Sequence, residues 1–180
     1  MLERLVVCGT GHRPDKLGNS WSVEHSISRS IQRELYRWLK LLLSNTKRLK
    51  VIVGGALGFD THLAIATLKL KQECDNVTLE VAIPHKDFNK RWNKDDIELF
   101  NTILSMSDNA HYVSDNSEFD ISDLELRNRY MVRNSDLVIA LWDGSSGGTS
   151  NAFHFANRNN KPIIWLKPKE FEIYTEERIG

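Results

Sequence analysis

The sequence predicts an α/β fold: a three-layer sandwich with a mainly parallel sheet covered by helices on both faces. Three observations predict it. Short, near-continuous apolar runs alternate along the whole chain with longer segments of helical periodicity. The runs lack the in-out alternation of a half-exposed strand, as expected for strands buried on both faces. Three of them also end in glycine-bearing loops. At 180 residues, with about 150 residues per domain as the prior, and with no repeat, low-complexity tract or linker, residues 1–180 read as one domain.

The elements follow in order. Residues 5–8 (LVVC) form a buried strand that stops at Gly9-Thr10-Gly11. Residues 20–44 carry Ile27, Ile31, Leu35, Trp38, Leu39 and Leu42 at helical spacing, the signature of a long amphipathic helix. Residues 51–53 are a second strand closed by Gly54-Gly55, and residues 60–71 a helix with Leu63, Ala64, Ala66, Thr67 and Leu70 available for packing. Residues 77–83 are a third strand stopped by Pro84, followed by a helix over 94–107 and a short strand over 110–113. A polar loop over 114–119 leads to a helix over 121–134 that is rich in Arg and Asn. Residues 137–142 are a fifth strand, 144–148 a Gly/Ser loop, 149–158 a helix and 162–166 a last strand before a polar tail. Right-handed crossovers place all strand C-termini on one edge, where open α/β sheets bind ligands at the point of strand-order reversal.

Composition narrows the function. Lys plus Arg and Asp plus Glu are both 24, so 24 − 24 gives zero net charge. That disfavours nucleic-acid binding by bulk charge, although a local basic patch stays open, and it argues against a polybasic membrane anchor. Cys8 and Cys74 make neither a disulfide framework nor a zinc site, and Cys8 in its apolar run reads as a core residue. No His/Cys/Asp cluster has metal-ligand spacing, so neither a metal nor a cofactor is expected. No apolar stretch approaches the 18 or so residues of a membrane helix, and residues 1–14 hold too short an apolar segment for a signal peptide, so the expected compartment is the cytoplasm.

The chemistry concentrates in the three glycine loops, which a parallel sheet brings to one edge. Gly147-Gly148-Thr149 lies where a strand gives way to a helix. Such a turn either caps the helix in the ordinary way or presents its free N–H groups and positive dipole end to a phosphate. Ser145, Ser146, Thr149 and Ser150 add hydroxyls. In the second loop, Asp60 stands at the expected helix N-cap and either caps alone or also reaches a ribose or base. His62 reads as structural or solvent-facing, and the Gly54-Gly55 pair leaves room for a ligand or a neighbouring loop.

The first loop carries Gly11, His12 and Arg13, the arginine being suited to a phosphate, a carboxylate or a surface ion pair. Pro84, His85 and Trp92 emerge at the same edge, with Trp92 either stacking on a base or covering the core. Trp142 beside Asp143 is a possible pocket wall, and Arg127, Asn128, Arg129 and Arg133 are either a solvated basic face or part of the site. The sequence lacks a P-loop, a G-x-S-x-G elbow and the third glycine of a dinucleotide fingerprint.

Taken together these pieces resemble the SLOG superfamily, which groups DprA/Smf proteins with LOG phosphoribohydrolases, and are most similar to its small standalone bacterial and phage members. The matching stretches are GTGHRP at 9–14, GGALGFD at 54–60, Ala82-Ile83-Pro84 with Trp92 downstream, Arg127-Asn128-x-Tyr130-Met131-Val132, SDLVIA at 135–140 and Gly147-Gly148-Thr149. The resemblance implies a Rossmann-like fold that binds a nucleotide or a nucleotide-derived ligand, and it aligns Arg127 with the arginine of the LOG enzymes. It also exposes a departure. The LOG pattern Gly-Thr-x-x-Glu is interrupted, since Ser150, Asn151 and Ala152 follow Thr149 and the loop lacks its Pro. Cleavage of an N-glycoside builds oxocarbenium character that a carboxylate stabilises, which Asn151 cannot do, leaving Asp60 or Asp143 as substitutes.

The leading expectation is therefore a binding protein for a nucleotide or NAD-derived nucleotide, a sensor or sponge of a signal, acting in the host cytoplasm if phage-encoded. Its expected ligand contacts are Gly11, Arg13, Gly55, Asp60, Trp92, Arg127, Asn128, Asp143, Ser146, Gly147, Gly148 and Thr149, with phosphate on loop 144–150 and Asp60 on ribose. The alternatives are a nucleoside-monophosphate N-glycosidase or related transferase, and a DprA-like single-stranded DNA binder, which zero net charge disfavours. A homo-oligomer is expected from the family. The helix over 20–44, with Trp21, Trp38 and Leu41-Leu42-Leu43, either serves it or packs as ordinary core.

Overall fold

A computed structural model describes residues 1–19 and 21–169. Among them the chain forms β1 (Leu5–Gly11), α1 (Ser26–Leu43), β2 (Leu49–Val53), α2 (Phe59–Glu73), β3 (Val77–Ile83) and α3 (Lys94–Met106). These are followed by β4 (Asn109–Tyr112), α4 (Ile121–Arg133), β5 (Leu137–Leu141), α5 (Gly148–Arg158) and β6 (Ile163–Leu166). A 3-10 turn, Pro14–Lys16, follows β1.

The six strands make one sheet in the order β4-β3-β2-β1-β5-β6, and every pairing is parallel. From β1 the chain steps outward to β4, then returns to lay β5 on the other side of β1. The order thus reverses between β1 and β5, and the crevice outside their C-terminal ends is where a Rossmann-like sheet holds ligands.

Two apolar layers cover the sheet. The larger joins α1, α2 and α3 to one face through Ile31, Leu35, Leu39, Phe59, Leu63, Leu70, Phe100 and Ile103. The smaller places Met131 and Val132 of α4 and Ala156 of α5 against Val6, Cys8, Ile52 and Val138 on the other. Helix α2 is buried along most of its length, since α1 packs over its outer side. Cys8 lies inside the smaller layer, and burial pushes its thiol up to about 12, which keeps it protonated and unreactive.

The third strand matches the expectation residue for residue, because Pro84 ends it sharply. The first strand is longer than expected. Its glycines continue the ladder to Gly11, paired with Leu141, because a side chain at Gly9 or Gly11 would collide with Phe59. Helix α1 begins at Ser26, where His25 Nδ1 accepts from Ile27 N; Ser20 of the expected helix and residues 170–180 of the expected tail lie outside the described residues. On α1, Trp38, Leu42 and Leu43 pack against the core, whereas Trp21 before it and Leu41 are exposed. Asp136 of the Ser-Asp pair before β5 accepts from Val6 N at 2.8 Å, which ties the start of β5 to β1. No helix of the described residues is long and apolar enough to cross a membrane.

His62 is structural: it is 2% exposed, its Nδ1 lies 3.4 Å from Gln32 Nε2 of α1, and its Nε2 is enclosed with no partner among the described residues. Burial lowers its pKa from the ordinary 6.5 to about 4. The folded state therefore holds the ring neutral while the unfolded chain binds the proton first. The stability so contributed is present above pH 6.5 and is lost as pH falls toward 4. In full this is about 3 kcal/mol, from 1.36 kcal/mol per unit. His62→Gln is expected to flatten the loss of stability between pH 7 and 4.5 in urea titrations. Parallel curves for the two proteins would show that the ring is not kept neutral by the fold.

Candidate functional site

At the β1/β5 crossover point lies a cavity of about 290 Å³. Its walls come from four segments far apart in sequence: residues 9–13, 15 and 16 at the end of β1 and just beyond it, Ala56 and Asp60 near the start of α2, the inner face of α4, and residues 145–149. Of the expected ligand contacts, Gly11, Arg13, Asp60, Arg127, Asn128, Ser146, Gly147, Gly148 and Thr149 line it.

The floor is a buried ion pair. Arg127 Nη1 lies 3.4 Å from Asp60 Oδ2 and also donates to Gly54 O, and Nε donates to Asn128 Oδ1 at 2.9 Å. Arg127 and Asp60 are each 6% exposed. Burial pushes the Asp60 carboxyl up and the Arg127 guanidinium down, and each charge partly restores the other. Gly54 has no side chain because Arg127 fills the space where a Cβ would stand. The expected N-cap role of Asp60 is corrected here. Gly58, with φ of 90°, occupies the cap position and Asp60 falls one residue inside the helix. Its Oδ2 accepts from Ala56 N at 3.2 Å, so the carboxylate folds back onto the loop and faces Arg127.

The outer wall is the turn into α5. Gly147 takes φ of 139°, open only to glycine at low cost, and among the described residues no side chain caps the helix. Among the described residues, a Cβ placed on Gly147 or Gly148 would meet nothing within 4 Å, so they leave open space before this helix end. Lys16 Nζ bridges across from the β1 loop to Ser145 Oγ at 2.8 Å and Ser146 O at 3.5 Å. Arg13 and Lys16 thus join Arg127 among the lining cations.

Three expected contacts lie elsewhere. Gly55, with φ of 72°, turns the chain beneath the Phe100 ring. Trp92 packs edge-on between Phe88 and Phe100, which makes it a cover of the core. Asp143 stands behind the loop: its Oδ1 accepts from Ser145 N at 2.8 Å and lies 2.8 Å from His12 Nε2. The Ser145 hydrogen bonds, then His12, hold its carboxyl well below the usual carboxylate range. Trp142 also supports the loop from outside the cavity, donating from Nε1 to Ser145 O at 2.7 Å and stacking on Trp165. Of the expected basic helix face, Arg129 pairs with Glu125, and both Arg129 and Arg133 sit over the Phe155 ring.

Several lining residues are not among the ligand contacts the sequence predicts: Thr10, His12, Lys16, Leu124 and Met131. Lys16 was the most findable, as a cation two residues beyond Pro14 in a glycine loop. Leu124 carries no local signal. Asn151, in the first turn of α5, does not line the cavity. Among the described residues no group of three or more His, Cys, Asp or Glu is placed to hold a metal ion.

Comparison with known proteins gives consistent findings. The YpsA family model, described as "YspA SLOG family", matches residues 7–170. The SPbeta prophage-derived protein YoqJ of Bacillus subtilis is 25% identical over 138 residues, 71% of this chain and 81% of that protein. A UPF0398 protein of Bacillus pumilus is 24% identical over 173 residues, 95% of this chain and 92% of that one. Among solved structures, DNA processing protein A of Helicobacter pylori, described with a single-stranded DNA binding mode, superposes with TM-score 0.54 at 19% identity, covering 96% of this chain and 73% of that one. DprA of Streptococcus pneumoniae gives TM-score 0.60 at 17% identity, covering 91% of this chain and 50% of that one. At these identities the structural likeness concerns the fold.

Proposed function

The chain belongs to the YspA SLOG family, and from that premise we propose that its crossover cavity binds a nucleotide or NAD-derived nucleotide, with phosphate on residues 144–150. The observation that carries this is the uncapped start of α5, which opens onto the same cavity as the buried Arg127. Free N–H groups and the positive dipole end attract a phosphate, and Arg13 and Lys16 add charge at the rim. Asp60 stands where a ribose hydroxyl could donate to it. Arg127 holds Asp60 in place, so the carboxylate is an acceptor without being a free charge. The role is that of a sensor or sponge of a nucleotide signal in the cytoplasm, and the prophage relative supports a setting in which such a signal is intercepted.

The test is a thermal-shift panel of AMP, ADP-ribose, cyclic ADP-ribose isomers, NAD, cyclic dinucleotides and purine monophosphates, with chromatography of each mixture afterwards. A ligand at 100 times its Kd adds about 2.7 kcal/mol of stability. A shift with the ligand recovered intact is the binding outcome, and free base in the mixture is the glycosidase outcome. A strongly salt-dependent response to single-stranded DNA alone would replace the reading with a DprA-like one.

Gly148→Asp separates the phosphate site from the fold. The position has open space and no positive φ, and an acid in the first turn of a helix is favourable by about 0.3–1 kcal/mol. The variant is expected to melt at or above the parent temperature and to lose the ligand-induced shift. A retained shift would place the phosphate elsewhere.

A further inference from the structure

His12 is the lining residue whose geometry goes furthest beyond binding. It is buried at the end of β1, and its Nε2 lies 2.8 Å from Asp143 Oδ1 and 3.1 Å from Asp143 N. One ring nitrogen cannot both donate to the carboxylate and accept from the amide. The carboxylate decides the tautomer: a bare lone pair 2.8 Å from an ionised oxygen is repelled, whereas an N–H there makes a short charge-assisted bond. Nε2 therefore carries the proton, and Nδ1 of the neutral ring carries the lone pair.

Nδ1 makes no hydrogen bond among the described residues. It is also absent from the enclosed, unpartnered side-chain nitrogens, which belong to Trp38, His62 and His111. Nδ1 is therefore neither bonded nor sealed in among the described residues, and His12 lines the cavity. Asp143 is itself fixed by Ser145 N, so the orienting carboxylate and the phosphate loop move as one unit. A base with one nitrogen held by a carboxylate and the other left unbonded beside a ligand cavity is the arrangement that general-base catalysis uses.

We propose that His12 and Asp143 make this cavity a hydrolytic site for the phosphoric anhydride bond of a nucleoside diphosphate derivative. The proposal rests on the nucleotide-binding reading above. His12 Nδ1 takes a proton from water as the water oxygen bonds to the phosphorus held at the start of α5. The bond from that phosphorus to the bridging oxygen breaks, and its electron pair leaves on the departing phosphate. The products are a nucleoside monophosphate and a second phosphate, a monoester from ADP-ribose or NAD and inorganic phosphate from ADP, and the proton on His12 passes to solvent. The choice of anhydride follows from the leaving group. An alkoxide would need a proton donor, whereas a phosphate leaves as a stable anion, and Arg13 and Lys16 at the rim meet its charge. Asp143 is a positioning residue that holds the productive tautomer.

The experiment incubates the protein with ADP-ribose, NAD and ADP in ¹⁸O-labelled water and quantifies AMP and its label. AMP is expected from at least one of them, with ¹⁸O in one of the two product phosphates. His12→Gln is expected to lower kcat at least a hundredfold, the lower end of what a general base contributes, while AMP still raises its melting temperature. Asp143→Asn is expected to lower kcat with KM little changed, which mere loosening of the loop would not do. Recovery of all three probes intact while AMP still binds would overturn hydrolysis and leave the binding reading standing. Equal turnover by His12→Gln, or release of free base in place of AMP, would also overturn it. Absence of any thermal shift would remove the binding reading and this proposal together.

Discussion

Asp60→Ala is expected to lower the unfolding free energy by about 3–5 kcal/mol, the cost of leaving one member of a buried ion pair alone. Arg127 is held by Gly54, Asp60 and Asn128 and is only 6% exposed at the cavity floor, so removing the carboxylate leaves its guanidinium largely buried and without a counter-charge. With about 2–4 °C per kcal/mol for a chain of this size, the melting temperature should fall by on the order of 10 °C. The double variant Asp60→Ala/Arg127→Met should recover much of that, because two uncharged groups need no mutual compensation. It should still fail to bind any nucleotide that the parent binds. A loss below about 1 kcal/mol for Asp60→Ala would mean that Arg127 finds water through the cavity and that the pair contributes little to the fold.

Phe59→Ala should cost about as much for a different reason, roughly 3–5 kcal/mol for an aromatic side chain removed from a packed core. Phe59 has no exposed surface and fills the space left by Gly9 and Gly11. Its backbone N–H also donates to His12 O at 3.1 Å, so the ring and the main chain together seat the β1 loop on α2. Equilibrium urea unfolding measures the loss. Thermal shifts with AMP in the same variant should weaken as well, since the loop that carries His12 and Arg13 loses its support. A variant that is destabilised yet binds with unchanged affinity would show that the loop is held by β1 pairing alone.

The sequence was most readable where a local signal stood alone. Pro84 ended β3 at the expected residue, and the apolar run of β5 was found to within one position. It was least readable at helix starts. The spacing predicts a helix from residue 20, but α1 starts at Ser26, its first buried apolar residue at helical spacing is Ile31, and Trp21 is exposed. Asp is a strong N-cap residue and the sequence predicts Asp60 at the cap, but Gly58 with its positive φ takes that position and the Asp60 carboxylate turns back onto Ala56 N. Trp92 lies after the same sheet edge as the site, yet Phe100 of α3 claims its ring.

The alternation of strands and helices and the glycines that close three strands were decided by the sequence alone. Burial on both faces demands apolar runs, and close turns demand glycine, whatever the chain does elsewhere. The identity of the partners in the site was decided only by the tertiary structure. Arg127 meets Asp60 across 67 residues and Gly54 across 73, and His12 meets Asp143 across 131. Those contacts exist because β5 returns beside β1 in register from Val7 with Leu137 to Gly11 with Leu141, and because α4 packs its Met131 and Val132 side on that face of the sheet. No local pattern encodes a strand register or the azimuth of a helix, so the chemistry of the cavity appears only when the layers close.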